Sequence, residues 1–435
     1  MDFGQHPVDW KGLFRRRGFS FLFAAMFISL FGTGMNYAAV TWYVLEQTDS
    51  TVSVGLMIIL LTLPGLVVPP FGGVLIDRVD RRYLGMALDV LRSLVVLAAA
   101  GLIFLDIGTL WPVYAMVMVL GAGFAVYWST MNALVQEFVL PNHLVGANAA
   151  VLIAVQTGMM SAGAVVGFLY ERLHVTGILA IDGITYLASA LCLLALRQGY
   201  FAPQHHDVSP TIEAPPAPAP ADQPVLPPIV EPGVVMGFLA DLREGWHYLR
   251  DQPLVRALGL TYACMMAGVI SANVVIVVLA RDVLDAGPRG FGFLNAGWAL
   301  GAVVGGIATG ALVRRFRPVP VLITAMATLA IGHTLFPYVR YLALAVAMHA
   351  LFGACRAVGG VLTQSSIMTT VPRRLMGRTQ SAFSVMSTLL QVVMSFSLGW
   401  LAEYVNVPIA FLVLGVLYGM ATLAAAHARS LLRPA

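Results

Sequence analysis

Gly73-Val74-Leu75-Ile76-Asp77-Arg78-Val79-Asp80-Arg81-Arg82 is a charged hinge between two apolar runs, each long enough to cross a bilayer. Two acids and three arginines behind a helix-ending glycine cannot sit in hydrocarbon. The stretch therefore reads as a tight loop at a membrane surface, joining two spanning helices.

The rest of the chain agrees. Of its 435 residues, 59% are hydrophobic and 11% charged, against roughly 25% charged in a soluble domain. A spanning helix needs about 20 mostly apolar residues. Dividing the chain at its charged or Pro/Gly-rich breaks gives twelve candidates, near 19–44, 51–74, 83–105, 111–135, 148–170, 176–197, 255–280, 290–313, 319–338, 342–366, 380–403 and 407–428. The first is too long, and its flanks too charged, for a removable secretory signal, so it is expected to be retained.

Charge placement gives an orientation. With the N-terminus inside, 19 of the 25 Lys/Arg fall on inner segments, Arg172, Arg281, Arg289 and Arg340 fall outside, and Arg92 and Arg356 lie within spans. The positive-inside rule then puts both termini in the cytoplasm. The basic residues are scattered over seven segments, which argues against a nucleic-acid face. Cys192, Cys264 and Cys355 all lie in apolar runs, so neither a disulfide nor a metal site is expected. No Walker-type phosphate loop is present, and no cofactor is expected.

Between Gln198 and Asp251 the composition changes, with Pro215, Pro216, Pro218, Pro220, Pro224, Pro227 and Pro228 in a small, polar stretch. Such a linker is expected to be extended or disordered and to bury nothing. Phe238 to Leu249 then alternates apolar and charged groups at helical spacing, as a helix on the cytoplasmic membrane surface would. The expected layout is an N-terminus over 1–18, a six-helix half over 19–197, the linker with its amphipathic helix over 198–254, a second six-helix half over 255–428, and a C-terminus over 429–435.

The halves echo each other. Pro141-Asn142-His143-Leu144-Val145-Gly146 recurs as Pro372-Arg373-Arg374-Leu375-Met376-Gly377, 231 residues later. Gly73 to Arg78 recurs, degenerate, as Gly310-Ala311-Leu312-Val313-Arg314-Arg315, 237 residues later. One six-helix unit is thus repeated in parallel. The fold expected is an all-α membrane protein of twelve transmembrane helices in two pseudo-symmetric halves.

The hinge resembles the loop between helices two and three of the major facilitator superfamily, Gly-x-Leu-x-Asp-Arg-x-Gly-Arg-Arg, with Asp80 where the family has glycine. Ala147-Asn148-Ala149, Asp182 to Ala190, Asp241 to Gly245 and Pro372 to Arg378 are similar to the branch of enterobactin exporters and macrolide-efflux proteins. The resemblance implies a monomeric secondary transporter of the bacterial inner membrane that works by alternating access. It implies export of a small amphipathic compound, drug or siderophore-like, by proton antiport. An uncoupled facilitator, a lysolipid or metabolite transporter, and a membrane sensor are the alternatives. An enzyme is not expected, because no nucleophile and base, and no metal cluster, stand at suitable spacing.

By the same resemblance Asp77 braces the cytoplasmic gate within the motif of Gly73, Arg78, Arg81 and Arg82. A carboxylate beside the N-terminal end of span eleven would gain about 0.3–2 kcal/mol; a solvated loop acid is the plainer alternative. Asp89 and Arg92, three apart, share a helical face and are expected to clamp each other or the Asp77 loop. Arg356 lies in mid-span, where a cation costs about 2.5–3.5 kcal/mol, and should face water, a counter-charge or substrate. His349 is two turns away, either a titrating group or a hydrogen-bonded structural one. Spans one, four, seven and ten are implied to line the cavity, through Asn36, Tyr127, Asn132, Tyr262, Asn273 and Arg356. Spans one, four and five offer no acid at mid-depth, and Glu46, Asp106, Glu137, Glu171, Asp182 and Glu403 read as lying near span ends, with Glu137, Asp182 and His349 as the proton-coupling candidates. Gly158, Gly163 and Gly167 of span five form half of a drug-antiporter motif, with Ala164 and Phe168 departing from it; glycines at this spacing more often serve close helix packing.

Overall fold

The structure is a computed structural model that describes residues 10–15, 17–68, 79–107, 110–139, 144–196 and 234–431. Among these there is no strand. In hydrocarbon every backbone N–H and C=O must be paired within its own segment, and apolar runs of this length meet that demand only as helices. Span one is Arg17–Thr48, span two Thr51–Thr62 continued by Pro64–Val67, span three Arg81–Phe104 and span four Trp111–Phe138. The second half follows as Pro253–Val278, Gly287–Arg315, Pro318–Leu335, Leu342–Thr370, Arg373–Tyr404 and Val407–Leu431, spans seven to twelve. Proline opens spans four, seven, eight and nine, where its missing N–H costs nothing.

Spans five and six form one unbroken helical run, Leu144–Leu194, except at His174, whose φ of 52° and ψ of −176° are not helical. The packing shows a reversal there. Along span one, Gly158 packs by Leu30, Gly34 by Met159 and Tyr170 against Trp42, in parallel order. On the other side Asn36 meets Asp182, Thr33 meets Tyr186 and Ser29 nears Ser189 through Asp89, in antiparallel order. Counting the run as two spans gives the twelve. Asp49, Asp106 and Asp285, which follow spans one, three and seven, also have positive φ. Each reverses its chain within a few residues in a conformation that Asp tolerates better than most.

The two halves meet through spans two and eleven, and through spans five and eight. At the first contact a Cβ on Gly55 would stand 2.7 Å from the Ser395 carbonyl oxygen; at the second a Cβ on Gly167 would stand 2.7 Å from the Gly292 Cα. Gly55 and Gly292 are 237 residues apart in the chain, and Gly163 and Gly399, at the same two contacts, are 236 apart. The inter-half contacts are therefore repeats of each other, and the pseudo-two-fold extends to the interface. Glycine allows the backbones to approach this closely.

Helix Val234–Asp251 packs on the start of span eleven. Gly245 sits on the Arg378 backbone and Glu244 pairs with Arg378. Its exposed Trp246 leaves an apolar edge facing outward. Gly73, Asp77 and Arg78 of the hinge, and the proline linker, lie outside the described residues. The Asp80 carboxylate accepts from the Arg82 N–H at 2.9 Å and so caps span three, which gives the departure from glycine a structural reason.

Candidate functional site

A cavity of about 410 Å³ lies between the halves. Its first-half wall carries Asn36 and Tyr37 of span one, Met57 and Thr62 of span two, and Phe124 of span four; Asn273 of span seven and Thr388 and Gln391 of span eleven close it. A smaller cavity of about 150 Å³ shares Tyr37, Met159 and Asn273 with it and reaches Trp298 and His349. Met57 and Thr62 of span two, and Thr388 and Gln391 of span eleven, sit here because they lie within about two turns of the Gly55–Ser395 contact on the same helices.

Behind the first-half wall lies a buried polar network. Arg92 pairs with Asp89 one helical turn away, and both are essentially fully buried. The Ser189 hydroxyl donates to Asp89 at 2.6 Å, and the Arg92 guanidinium lies over the Tyr127 and Tyr186 rings at 4.1 and 4.5 Å from their centroids. Cation–π contacts of this kind are worth about 2 kcal/mol when desolvated. Asn36 donates to Asp182 at 2.9 Å, and Thr185 reaches the other carboxylate oxygen at 3.4 Å. Buried ions need this degree of pairing, since removing one partner leaves a charge in a medium that cannot solvate it.

Of the residues expected to line the cavity, Asn36 and Asn273 do so. Four do not. Tyr127 has no exposed surface and packs on Arg92 inside the first half. Asn132 turns back to the Trp128 carbonyl, and Tyr262 packs against Phe383 with ring centroids 6.1 Å apart. Arg356 lies half-buried behind span seven, its Nη2 3.7 Å from the Met266 sulfur, with no carboxylate partner among the described residues. Helical phase explains the difference: each sits on a face turned into its own half.

The reading that Asp182 lies near a span end is also corrected. Asp182 is eight residues past the His174 turn, fully buried, and bonded to a cavity-lining side chain. Asp89 is likewise buried in mid-span. Glu137 is held by Arg81, with both groups partly exposed. Arg82 donates to the Leu196 carbonyl, tying the start of span three to the end of span six. His349 donates through Nδ1 to the Leu294 carbonyl at 2.8 Å and packs against Trp298 and Phe336. Sequence reasoning misses Gln391. Its one signal is an amide set among Leu389, Leu390, Val392 and Val393.

The family model described as Major Facilitator Superfamily matches residues 22–287 and 258–435. The chain belongs to the Major Facilitator Superfamily. It is a transporter, as its superfamily relatives are, and not an enzyme. Among relatives, YfiS of Bacillus subtilis, an MFS-type transporter, is 24% identical over 430 residues, covering 95% of this chain and 94% of its own. The enterobactin exporter EntS of Shigella flexneri is 26% identical over 410 residues, covering 90% and 86%. Two solved structures show the same fold. The nucleoside transporter NupG superposes with a TM-score of 0.69 at 12% identity, over 96% of this chain and 99% of its own. A bacterial homologue of the iron transporter ferroportin in its inward-facing state superposes with a TM-score of 0.67 at 16% identity, over 95% and 98%.

Proposed function

We propose that this superfamily member is a secondary transporter of the bacterial inner membrane, with both termini in the cytoplasm. It exports a small amphipathic compound of drug or siderophore type in exchange for protons. The enterobactin exporter among its relatives supports the direction and the substrate type. The observation that carries the coupling is the 2.9 Å hydrogen bond between Asn36, which lines the inter-half cavity, and Asp182 behind it. A substrate that engages the Asn36 amide competes with that bond. Loss of it removes a donor from the carboxylate and changes its affinity for a proton. Substrate and proton then occupy linked sites, as antiport requires. Asp182 is the proton carrier in this reading. Glu137 is already committed to Arg81, and His349, which borders only the smaller cavity, spends its Nδ1 on a backbone carbonyl. Asp77 and its neighbours brace the cytoplasmic gate.

An uncoupled facilitator is the second reading, favoured by the absence of any acid from the cavity wall among the described residues. Efflux into medium from proteoliposomes, driven by an imposed pH gradient and read with a panel of macrolides and catecholates, separates the two. For a proton antiporter, Asp182→Asn abolishes gradient-driven movement but leaves substrate exchange, while Glu137→Gln keeps both. Movement by wild type that ignores the gradient is the facilitator's result and removes Asp182 from the mechanism.

A further inference from the structure

The cavity wall has an unusual polar inventory. Among its described lining residues the sole charged one is Arg92, and that charge is matched by Asp89 behind the wall. No carboxylate is among them. Yet three of its lining side chains carry buried polar atoms without partners. The Tyr37 hydroxyl is buried with no hydrogen bond, and so is the Gln391 Nε2, on a side chain 4% exposed. Arg92 adds an Nε with no acceptor. Unpaired buried donors are costly, on the order of 1–3 kcal/mol each, and a native fold keeps them where something else supplies the acceptor. Tyr37 belongs to span one and Gln391 to span eleven, so a single molecule that supplied acceptors to both would bridge the two halves. Around them the wall is Phe124, Met57, Met159 and Leu120, a surface that suits flat apolar rings.

We propose that this cavity binds uncharged, two-ring or larger aromatic molecules that carry carbonyl, ether or ester oxygens, held across the halves by the Tyr37 hydroxyl and the Gln391 amide, and that it rejects cations. This deepens the export reading, on which it rests, by naming the substrate class. A cation entering here sheds its water and finds no carboxylate in exchange, only Arg92. A neutral acceptor finds two donors that are already desolvated and need only turn toward it. The size fits: about 410 Å³ is within the range of small-molecule sites. Because the two donors sit on different halves, the molecule that satisfies both also fastens the halves together around itself.

Two probes of one shape test this, biphenyl-4-carboxamide and biphenyl-4-yl-trimethylammonium, titrated calorimetrically into the full chain in lipid nanodiscs. Wild type binds the amide at least about tenfold more tightly than the cation. Tyr37→Phe and Gln391→Leu each weaken the amide by about three- to tenfold, one hydrogen bond's share, and leave the cation where it was. Gln391→Glu reverses the preference, improving the cation by about tenfold or more, because the wall now holds a counter-charge. Melting temperatures are followed throughout, and where one variant does not fold the other two decide. The proposal is overturned if the cation binds wild type as well as the amide does, if the amide is indifferent to the variants, or if wild type binds neither. Efflux of the amide from cells separates this result from the export reading. Binding that follows the variants without efflux leaves the site and sinks export. Efflux of the cation, untouched by Gln391→Leu, leaves export and sinks the site.

Discussion

The Arg281 guanidinium of the second half and the Asp49 carboxylate at the end of span one stand 2.8 Å apart, an ion pair that crosses between the halves. Arg281 also donates to the Leu45 carbonyl at 3.3 Å and pairs with Asp282 at 2.5 Å. One side chain thus ties the last turn of span one to the last turn of span seven. Asp49 is largely exposed, so the pair is worth only about 0.2–1 kcal/mol. Arg281→Gln should shift the balance of conformers by about two- to fivefold toward separation at this end. Spin-label distances between positions 47 and 404 check it. An unchanged distance distribution would remove the pair from the conformational equilibrium.

Glu403 makes a second tie at the same end. Its carboxylate accepts from the Ser50 hydroxyl at 2.6 Å and the Val52 N–H at 2.9 Å, so an acid of the second half caps a helix of the first. Caps of this type are worth about 1 kcal/mol. Glu403→Gln should add to Arg281→Gln nearly independently in the same distance measurement. Strong non-additivity would mean that both act through one shared contact.

The glycine contacts set a steric limit. Replacing Gly167 with valine puts a Cβ 2.7 Å from the Gly292 Cα, and overpacking of this kind costs about 1–3 kcal/mol. Gly167→Val is expected to enter the membrane, to melt at lower temperature and to transport poorly. Gly399→Val should reproduce the defect at the pseudo-equivalent contact, where the Cβ would stand 2.9 Å from the Thr51 carbonyl oxygen. Normal transport by both variants would show that the halves do not pack this closely while working.

For the buried pair, Arg92→Leu leaves Asp89 without its cation at a fully buried site. The expected loss is about 3–5 kcal/mol, seen as a lower melting temperature and lower yield. Asp89→Leu combined with Arg92→Leu should recover much of it, because no charge then remains uncompensated. A double variant as unstable as the sum of the singles would contradict the pairing.

Spans, repeat and family are legible in the sequence because each rests on composition over about twenty residues or on a motif set in a loop. The cavity wall is only partly legible. Asn36 and Asn273 stand out as amides in apolar helices, but so does Asn132, and only the rotation of span four shows that Asn132 turns back on its own backbone. Asp182 reads as near a span end because it stands six residues inside the expected start of span six, and its burial comes from packing on span one, which composition does not show. The turn at His174 itself falls where the expected spans break. Arg356 misleads for a different reason: a mid-span cation must face something polarisable, and the Met266 sulfur serves where a cavity is expected.

Gly55 against Ser395, and Gly167 against Gly292, give the two halves two bearings, and two bearings define an axle. Gln391 is four residues from Ser395, about 6 Å along the helix, whereas the start of span eleven at Arg373 is 22 residues away, about 33 Å. Were the helix to turn about the Ser395 contact, a shift at Gln391 would be magnified roughly fivefold at its start. On the proposed site, the ligand would work the short arm of that lever, and the long arm ends at the start of span eleven.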